Sequence, residues 1–519
     1  MNSLFKDFLI SNNSWRWFGL LLVFLFYFLP WRFQVNDDLI MMWLVSGSYT
    51  GEPETYTVFI HPLLTWFFAF FYQLIPFVSW YSIFIFSLLG ISYAIGTISI
   101  DSYLKNTSKK ALYKSILLII TLHFCIFPQF TLVAGWAAFH AFFILSFSFK
   151  EFNRNTFLGL LLLLFGALFR LEATILIFLG FLAFSFYLHE GHKNWKLIGC
   201  VILIFVLMYG SQKIWEQQSI HQEYLKFNQA RHEVIDHPVF YQMYVNKEFP
   251  KDSKWFYFSF WLIEESTVSI EELYEYKEDL NAQYLEGIQI KNSFFRLYDV
   301  LSKELFKSFF ISLLLILYFL KFRRESKPKI ILAAWLIFFL VFNHFFHIRG
   351  RVVFLFFIPL IFPLIQNRKE YLSTNLIRIT SAIIWILFIA HFGNFLREAK
   401  KRRNYILQYE SLVSDLPAQP IKLEGIPLEY FSKYFHPTSN IPFLLDGWMA
   451  NSIFQKKAYK KWNFNSLKEI NHYYLIGLKN EPTFNFADYL SSENGEYKLI
   501  NERETEDLIL FEYKKQIIP

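Results

Sequence analysis

Apolar residues in this chain gather in runs about 20 residues long, closed by Trp, Tyr, Lys or Arg, and about 20 apolar residues is what a helix needs to cross a bilayer. Candidate spans fall at 14–33, 58–76, 79–99, 112–128, 131–149, 156–188, 196–212, 303–321, 330–347, 351–366 and 376–396. No period-2 barrel strands occur, and lipid offers no partner to open backbone, so the pattern predicts a closed helical bundle. Eleven spans result if 156–188 makes one net crossing. As a single helix that stretch would reach about 50 Å, against a hydrocarbon core of about 30 Å. It must tilt, break or turn back, and Arg170-Leu171-Glu172 near its middle predicts two short helices meeting at a polar cavity.

Two long polar segments interrupt the apolar pattern. Residues 213–302 open with a charged helical stretch, and Ser269 with Glu272 three residues later predicts a capping box that starts a helix running toward Leu285. Residues 397–519 predict a small α+β domain, because Tyr497 to Ile500 and Leu508 to Phe511 are strand-like and joined by a polar connection, as in a late hairpin. The expected organisation is a helical bundle over 1–396, carrying outer-face segments at 34–57 and 213–302, followed by a soluble domain over 397–519. No repeat of 20 to 50 residues and no Gly- or Ser-rich linker divides the chain.

Composition agrees with the pattern. Of 519 residues, 54% are hydrophobic and 65 are Phe, which places the chain among multi-pass membrane proteins. The net charge is +7, but the basic residues sit at span ends and in short loops, which suits anionic headgroups and excludes a nucleic-acid partner. Cys125 and Cys200 both lie in apolar runs and offer neither a disulfide framework nor a thiolate metal site. The first run, flanked by Trp15, Trp17 and Trp31, lacks a small-residue cleavage site and reads as a retained helix.

Charge then orients the bundle. Residues 34–57 carry Asp37, Asp38, Glu52 and Glu54 and no Lys or Arg, so this loop is expected away from the cytoplasm. With the amino terminus inside, Arg323, Arg324, Lys327, Arg368 and Lys369 fall in the cytoplasm, as the positive-inside rule requires. Lys105, Lys109, Lys110, Lys150, Arg154 and the run from Arg397 to Arg403 fall outside, against it.

Chemistry concentrates where spans meet water. Asp37 and Asp38 follow the first span directly, and a carboxylate there can take a proton from a hydroxyl nucleophile or hold a divalent cation. Adjacent side chains diverge, so one Asp is expected to face substrate while the other orients it or binds metal; the pair would equally serve to cap a helix beginning near Leu39. His61, at the start of the second candidate span, is a substrate contact or metal ligand, or an ordinary interfacial residue. Arg170 and Glu172 are costly in hydrocarbon, and the pair reads either as a guanidinium gripping a lipid-linked phosphate or as an internal ion pair. Arg349 and Arg351, around Gly350, suggest an anionic ligand such as a pyrophosphate, with headgroup anchoring as the other reading. Asn228, Arg231 and Asp236 place polar groups on one short helix that could border an acceptor site or simply face solvent. Neither a P-loop, a dinucleotide fingerprint, a nucleophile elbow nor a zinc-binding helix occurs.

One span, an acidic pair in the first outer loop, many further spans and a carboxy-terminal soluble domain together resemble the GT-C glycosyltransferases. In particular, Asn36-Asp37-Asp38-Leu39-Ile40 through Ser46-Gly47-Ser48-Tyr49-Thr50-Gly51-Glu52-Pro53 and His61-Pro62 resemble bacterial polytopic proteins associated with surface-polysaccharide synthesis in the cell envelope. The likeness covers about the first 80 residues and the string from Asn228 to Asp236, with only the layout shared elsewhere. It implies an enzyme of the bacterial cytoplasmic membrane, acting at the outer face. Such an enzyme passes a sugar from a polyprenyl phosphate or pyrophosphate donor to a hydroxyl of a glycan, lipid or protein acceptor, with inversion. The resemblance implies that Asp37 or Asp38 is the base and leaves a divalent cation open; the arginines' phosphate role comes from charge alone. A polysaccharide polymerase or ligase is the second enzyme reading, disfavoured by the acidic pair. A lipid-glycan transporter or flippase, with Arg170 and Glu172 lining a path, is the non-enzymatic one, disfavoured by the lack of an inverted repeat.

Overall fold

The computed structural model describes residues 12–149, 152–186, 195–251, 253–264, 267–366, 373–480 and 485–516. Lys150, Arg368 and Lys369 lie outside them. The chain is a helical bundle, with a four-stranded carboxy-terminal sheet packed at one end. Among the described residues, five helices are long and apolar enough to cross a membrane (Trp80–Tyr103, Phe130–Ser148, Trp195–Gln218, Ser326–Phe345 and Asn375–Val413), and shorter apolar helices accompany them.

Two polar layers define the ends of the bundle. At one end Asp38 accepts hydrogen bonds from Tyr81 and from the backbone N–H of Phe130. At the other, the Gln366 amide bonds Tyr103, Ser146 and Ser185. The helices Trp80–Tyr103 and Phe130–Ser148 each run from the first layer to the second. Gly350–Phe357, continued through Ile361–Gln366, does the same. Because these helices are parallel, the intervening ones, Thr107–Ile126 and Arg154–Phe169, must return. The Phe130–Ser148 and Arg154–Phe169 helices approach closely at Gly166, where a Cβ would stand 3.1 Å from the Ala134 carbonyl oxygen; without lipid-side hydrophobic drive, such close backbone packing is what holds membrane helices together.

Two expectations about the spans change. The 156–188 stretch does break at its charged centre: Arg170 is extended (φ −160°, ψ 100°) between the helices Arg154–Phe169 and Leu171–Phe181, the second continuing through a π turn to Phe186. It makes two passes between the layers, since Arg170 lies beside Phe130 and Ser185 bonds Gln366. The 58–76 run, by contrast, makes none. Its helix, Pro62–Leu74, spans only 13 residues, and both its ends stay in the Asp38 layer. The His61 N–H donates to the Leu168 carbonyl (3.0 Å), and the Tyr81 N–H donates to the Tyr72 hydroxyl (3.2 Å). Leu63, Trp66, Phe67 and Phe70 face outward from it, the apolar side of a helix lying along a surface.

Removing one crossing and adding another shifts every basic loop between them to the other end. Lys109 stands in the field of Lys321, whose ammonium donates to the Leu364 carbonyl, so the Lys105–Lys110 connection lies opposite the Asp pair rather than beside it. Arg154 joins it, because the Thr156 hydroxyl bonds the Ser148 carbonyl at that end.

The polar segments form one layer over the Asp38 end. The Ser269–Glu272 capping box is present and opens the helix Ile270–Ala282. The carboxy-terminal sheet has the order β1-β2-β4-β3, with β1 (Ile421–Leu423) parallel to β2 (His472–Leu478) and the expected hairpin formed by β3 (Tyr497–Glu504) and β4 (Leu508–Lys515). The boundary expected at 396/397 falls inside one 40-residue helix, Thr374–Val413, that carries the chain from bundle to domain. Its Glu398 binds Arg32 (2.8 Å) and Arg402 (3.0 Å), so the 397–403 basic run is partly spent on contacts within the layer.

Candidate active site

The acidic pair opens the helix Asn36–Ser46, and both carboxylates lie in its first turn, where the helix dipole favours negative charge. They do not cap it; each is bonded elsewhere. The helix ends at Gly47 in the left-handed region (φ 81°), and a Cβ there would sit 2.6 Å from the backbone of Glu52 and Pro53. Glycine is therefore required for the chain to turn back tightly enough to hold the Asp pair under the outer layer.

The two carboxylates part as adjacent side chains should. Asp38 is fully buried; its Oδ1 accepts from the Tyr81 hydroxyl (2.9 Å) and the Phe130 N–H (3.0 Å), and its Oδ2 has no partner. Burial drives this carboxyl well above the usual carboxylate range and the charge of Asp37 adds to the effect, while Tyr81, the Phe130 N–H and Arg351 oppose it. Asp37 is half-buried, and its Oδ1 accepts from the Trp448 indole N–H at 3.1 Å. Asp38 is thus held as a fixed internal group, whereas Asp37 retains carboxylate surface for a ligand.

Guanidinium groups from distant parts of the chain surround the pair. Arg351, at the head of the Gly350–Phe357 helix, interacts with the charges of Asp37, Asp38, Arg349 and Arg170. Arg170 stacks over Phe130 (5.4 Å) and Phe59 (5.5 Å) and pairs with Glu172 at 3.0 Å; Glu172 itself is mostly exposed. Arg170 and Glu172 thus form an ion pair, with its carboxylate turned outward rather than internal and its guanidinium beside the acidic site. Arg349 reaches Asp236 (3.5 Å) and lies over Tyr241, linking the site to the helix Gln222–Ile235, which Asp236 ends. On that helix Asn228 receives two bonds from Arg231 (2.7 and 3.2 Å), and the buried Arg231 feels the charges of Asp236 and Asp37. His61 takes a structural place: its Nδ1 accepts from the Leu63 N–H and its Nε2 bonds Ser211, which leaves neither ring nitrogen for a ligand.

Three residues that the sequence pattern did not single out complete the site. Trp448 donates to Asp37, accepts from the Tyr224 hydroxyl through its backbone carbonyl, and packs edge-on to Phe59 (5.1 Å), so the first loop, the 213–302 segment and the carboxy-terminal domain converge on one residue. No spacing signal could mark a residue 411 positions from its partner; the only local hint is the Asp446-Gly447-Trp448 turn. Tyr81 donates to Asp38 from inside an aromatic-rich apolar run, where nothing local marks it. Lys307, inside a candidate span, is buried, paired with Glu304 and electrostatically linked to Arg351.

Among the described residues no group of three or more His, Cys, Asp or Glu side chains gathers as a metal centre would require. Asp37 and the unpartnered Oδ2 of Asp38 are the protein oxygens a divalent cation would find here, its remaining ligands coming from water or substrate.

No protein-family model and no curated protein matches the chain. Its fold is of the GT-C type. The crystal structure of ArnT from Cupriavidus metallidurans bound to undecaprenyl phosphate aligns over 97% of this chain and 98% of its own, with a TM-score of 0.50 and 9% identity.

Proposed function

We propose that this protein is a membrane glycosyltransferase that moves a sugar from a polyprenyl phosphate or pyrophosphate to an acceptor hydroxyl, with Asp37 as the base. The observation that carries the reading is the arrangement at one bundle end of a half-exposed carboxylate and an arginine cluster contributed by the Arg170 break and by Arg351. Glycosyl transfer develops positive charge on the sugar and negative charge on the departing phosphate, and these two groups of side chains stabilise opposite ends of that transition state. Asp37 takes the proton of the acceptor hydroxyl as its oxygen bonds C1 of the sugar. The bond from C1 to the phosphate oxygen breaks, and the phosphate departs toward Arg351 with the electron pair. A single displacement inverts the anomeric centre. Asp38 and Trp448 fix the helix turn and the carboxylate that do this work. A divalent cation held by the Asp pair would supply further charge neutralisation at the phosphate. The ArnT structure, whose ligand is undecaprenyl phosphate, supports a polyprenyl carrier.

The same end of the bundle faces away from the cytoplasm. Eleven passes result from Asn12–Phe28, Trp80–Tyr103, Thr107–Ile126, Phe130–Ser148, Arg154–Phe169, Leu171–Phe186, Trp195–Gln218, Leu305–Lys321, Ser326–Phe345, Gly350–Gln366 and Thr374–Val413. With this assignment Lys105, Lys109, Lys110, Arg154, Arg323, Arg324 and Lys327 share the end opposite Asp37, as the positive-inside rule asks of a cytoplasmic face. The test is to incubate the purified protein with polyprenyl-linked sugars and an envelope extract. Release of carrier phosphate with formation of an inverted glycoside is the expected result; intact donor under every acceptor tried would refute the reading.

A further inference from the structure

The helix Gly287–Lys303 divides its surface sharply. Ile288, Ile290, Phe294, Phe295 and Tyr298 are exposed, while Gln289, Ser293 and Arg296, spaced by four and three residues, are buried. An apolar outer face of this kind, just before the Leu305–Lys321 span, suits a helix lying in the headgroup region.

Arg296, on the inner face, is 6% exposed. Its Nη2 reaches the carbonyls of Asn343 and His344 at 3.4 Å each, a weak hold on the end of the Ser326–Phe345 helix, and its Nε and Nη1 have no partner. The charges of Arg296 and Arg349 both act on His347, and Arg296 and Lys277 both act on His237. Tyr241 and Tyr284 complete the surroundings. The nearby carboxylate of Asp236 is engaged by Arg349 and His232, each at 3.5 Å. Burial pushes the Arg296 guanidinium down to about 10 and the His237 imidazole to about 4. A buried guanidinium with two unpartnered nitrogens and no carboxylate partner, set among neutral histidines and tyrosines, is an arrangement that folding alone does not favour. Its missing partner is an anion, and a guanidinium with histidines and tyrosine hydroxyls is the donor set that suits a phosphoryl group.

We propose that Arg296, His347 and their neighbours bind a phosphoryl group at the membrane surface, presented by a lipid phosphate ester or by free phosphate. This site lies beyond Arg349 from the Asp pair and is separate from the place proposed for the donor phosphate at Arg351. It goes beyond the transferase reading and stands without it.

The full-length protein, carrying Arg351→Gln to silence the donor phosphate site, is titrated in neutral detergent with dihexanoyl phosphatidic acid, with dihexanoyl phosphatidylcholine and with inorganic phosphate, and binding is read by native mass spectrometry and thermal shift. Saturable binding of phosphatidic acid, weakened at least tenfold by Arg296→Gln, is expected. His347→Gln, which leaves the carbonyl contacts of Arg296 in place, should weaken it severalfold and covers the case in which Arg296→Gln does not fold. Competition by inorganic phosphate at equal concentration identifies free phosphate as the ligand; competition by the lipid alone identifies the headgroup. Undiminished phosphatidic acid binding in both variants, or equal binding of phosphatidylcholine, overturns the proposal. Asp37→Asn should leave this binding unchanged while stopping sugar transfer, so the two readings fail independently.

Discussion

Exchanging each member of the acidic pair for its amide separates the roles assigned to them. In Asp37→Asn the new amide oxygen still accepts from Trp448 at the 3.1 Å position, and the half-buried setting tolerates a neutral group, so stability should change by no more than about 1 kcal/mol. What is lost is the base, and general-base catalysis is worth roughly 10²- to 10⁴-fold, or about 3–5 kcal/mol of barrier. In Asp38→Asn the amide oxygen keeps both the Tyr81 and Phe130 donors, but an NH2 lands where Oδ2 has no partner. An unsatisfied buried donor costs about 1–3 kcal/mol, offset by removal of a carboxylate that burial already disfavours in its charged form. Turnover should fall less than about tenfold, since the amide reproduces the bonds that position the helix turn. The assay is sugar transfer from a polyprenyl-linked donor in proteoliposomes, with melting temperatures measured on the same preparations. Retention of more than a tenth of wild-type activity by Asp37→Asn, or an equal loss in Asp38→Asn at unchanged melting temperature, would refute the division of labour.

Four further outcomes follow from the geometry. Arg351→Gln should weaken competition by free polyprenyl phosphate about 10- to 150-fold, the equivalent of one charge-assisted bond of about 1.5–3 kcal/mol, and more than Asp37→Asn does; an unchanged inhibition constant would remove the phosphate role. Trp448→Phe deletes the donor to Asp37 and should lower kcat by about tenfold with little change in KM for the donor, whereas a loss confined to KM would place the indole in binding instead. Gly47→Ala forces a left-handed alanine against the Glu52–Pro53 backbone and should cost at least about 2 kcal/mol, seen as a lower melting temperature; a neutral effect would contradict the tight turn. His221 and His237 are each lowered by burial from 6.5 to about 4, so the unfolded chain binds protons near pH 6.5 while the folded chain resists until near pH 4. Stability is then lost as pH falls through that window, by on the order of 2 kcal/mol per histidine at pH 5, and His221→Gln should flatten the dependence of melting temperature between pH 7 and 5.

Local grammar carried much of the architecture. The apolar runs are helical, and the Ser269–Glu272 capping box and the β3–β4 hairpin, both short-range features, appear where their residues predict them. The Pro62–Leu74 helix misled because hydrophobicity does not distinguish a helix that crosses lipid from one that lies on it; only its 13-residue length and its contacts to Leu168 and Tyr81 decide the matter. With that helix lying along the Asp38 layer, Lys109 and Arg154 stand at the end of the bundle opposite Asp37. Within the site, Asp37, Asp38 and Arg351 stood out because charge at an apolar boundary is expensive. Trp448 and Tyr81 did not, because an aromatic residue at an interface is common and their value lies in partners 411 and 43 positions away. His61 drew notice for its chemistry, yet serves to start a helix.

The proposed transfer requires a sugar–phosphate bond positioned between Asp37 and Arg351. The most direct measurement is a structure of the protein with a non-hydrolysable polyprenyl-phosphate sugar bound. The phosphate should stand in hydrogen-bond contact with the Arg351 guanidinium, and C1 of the sugar should face Asp37 across room for one acceptor oxygen. A phosphate seated in the Gln366 layer, or a sugar turned away from Asp37 with no path between them, would contradict it.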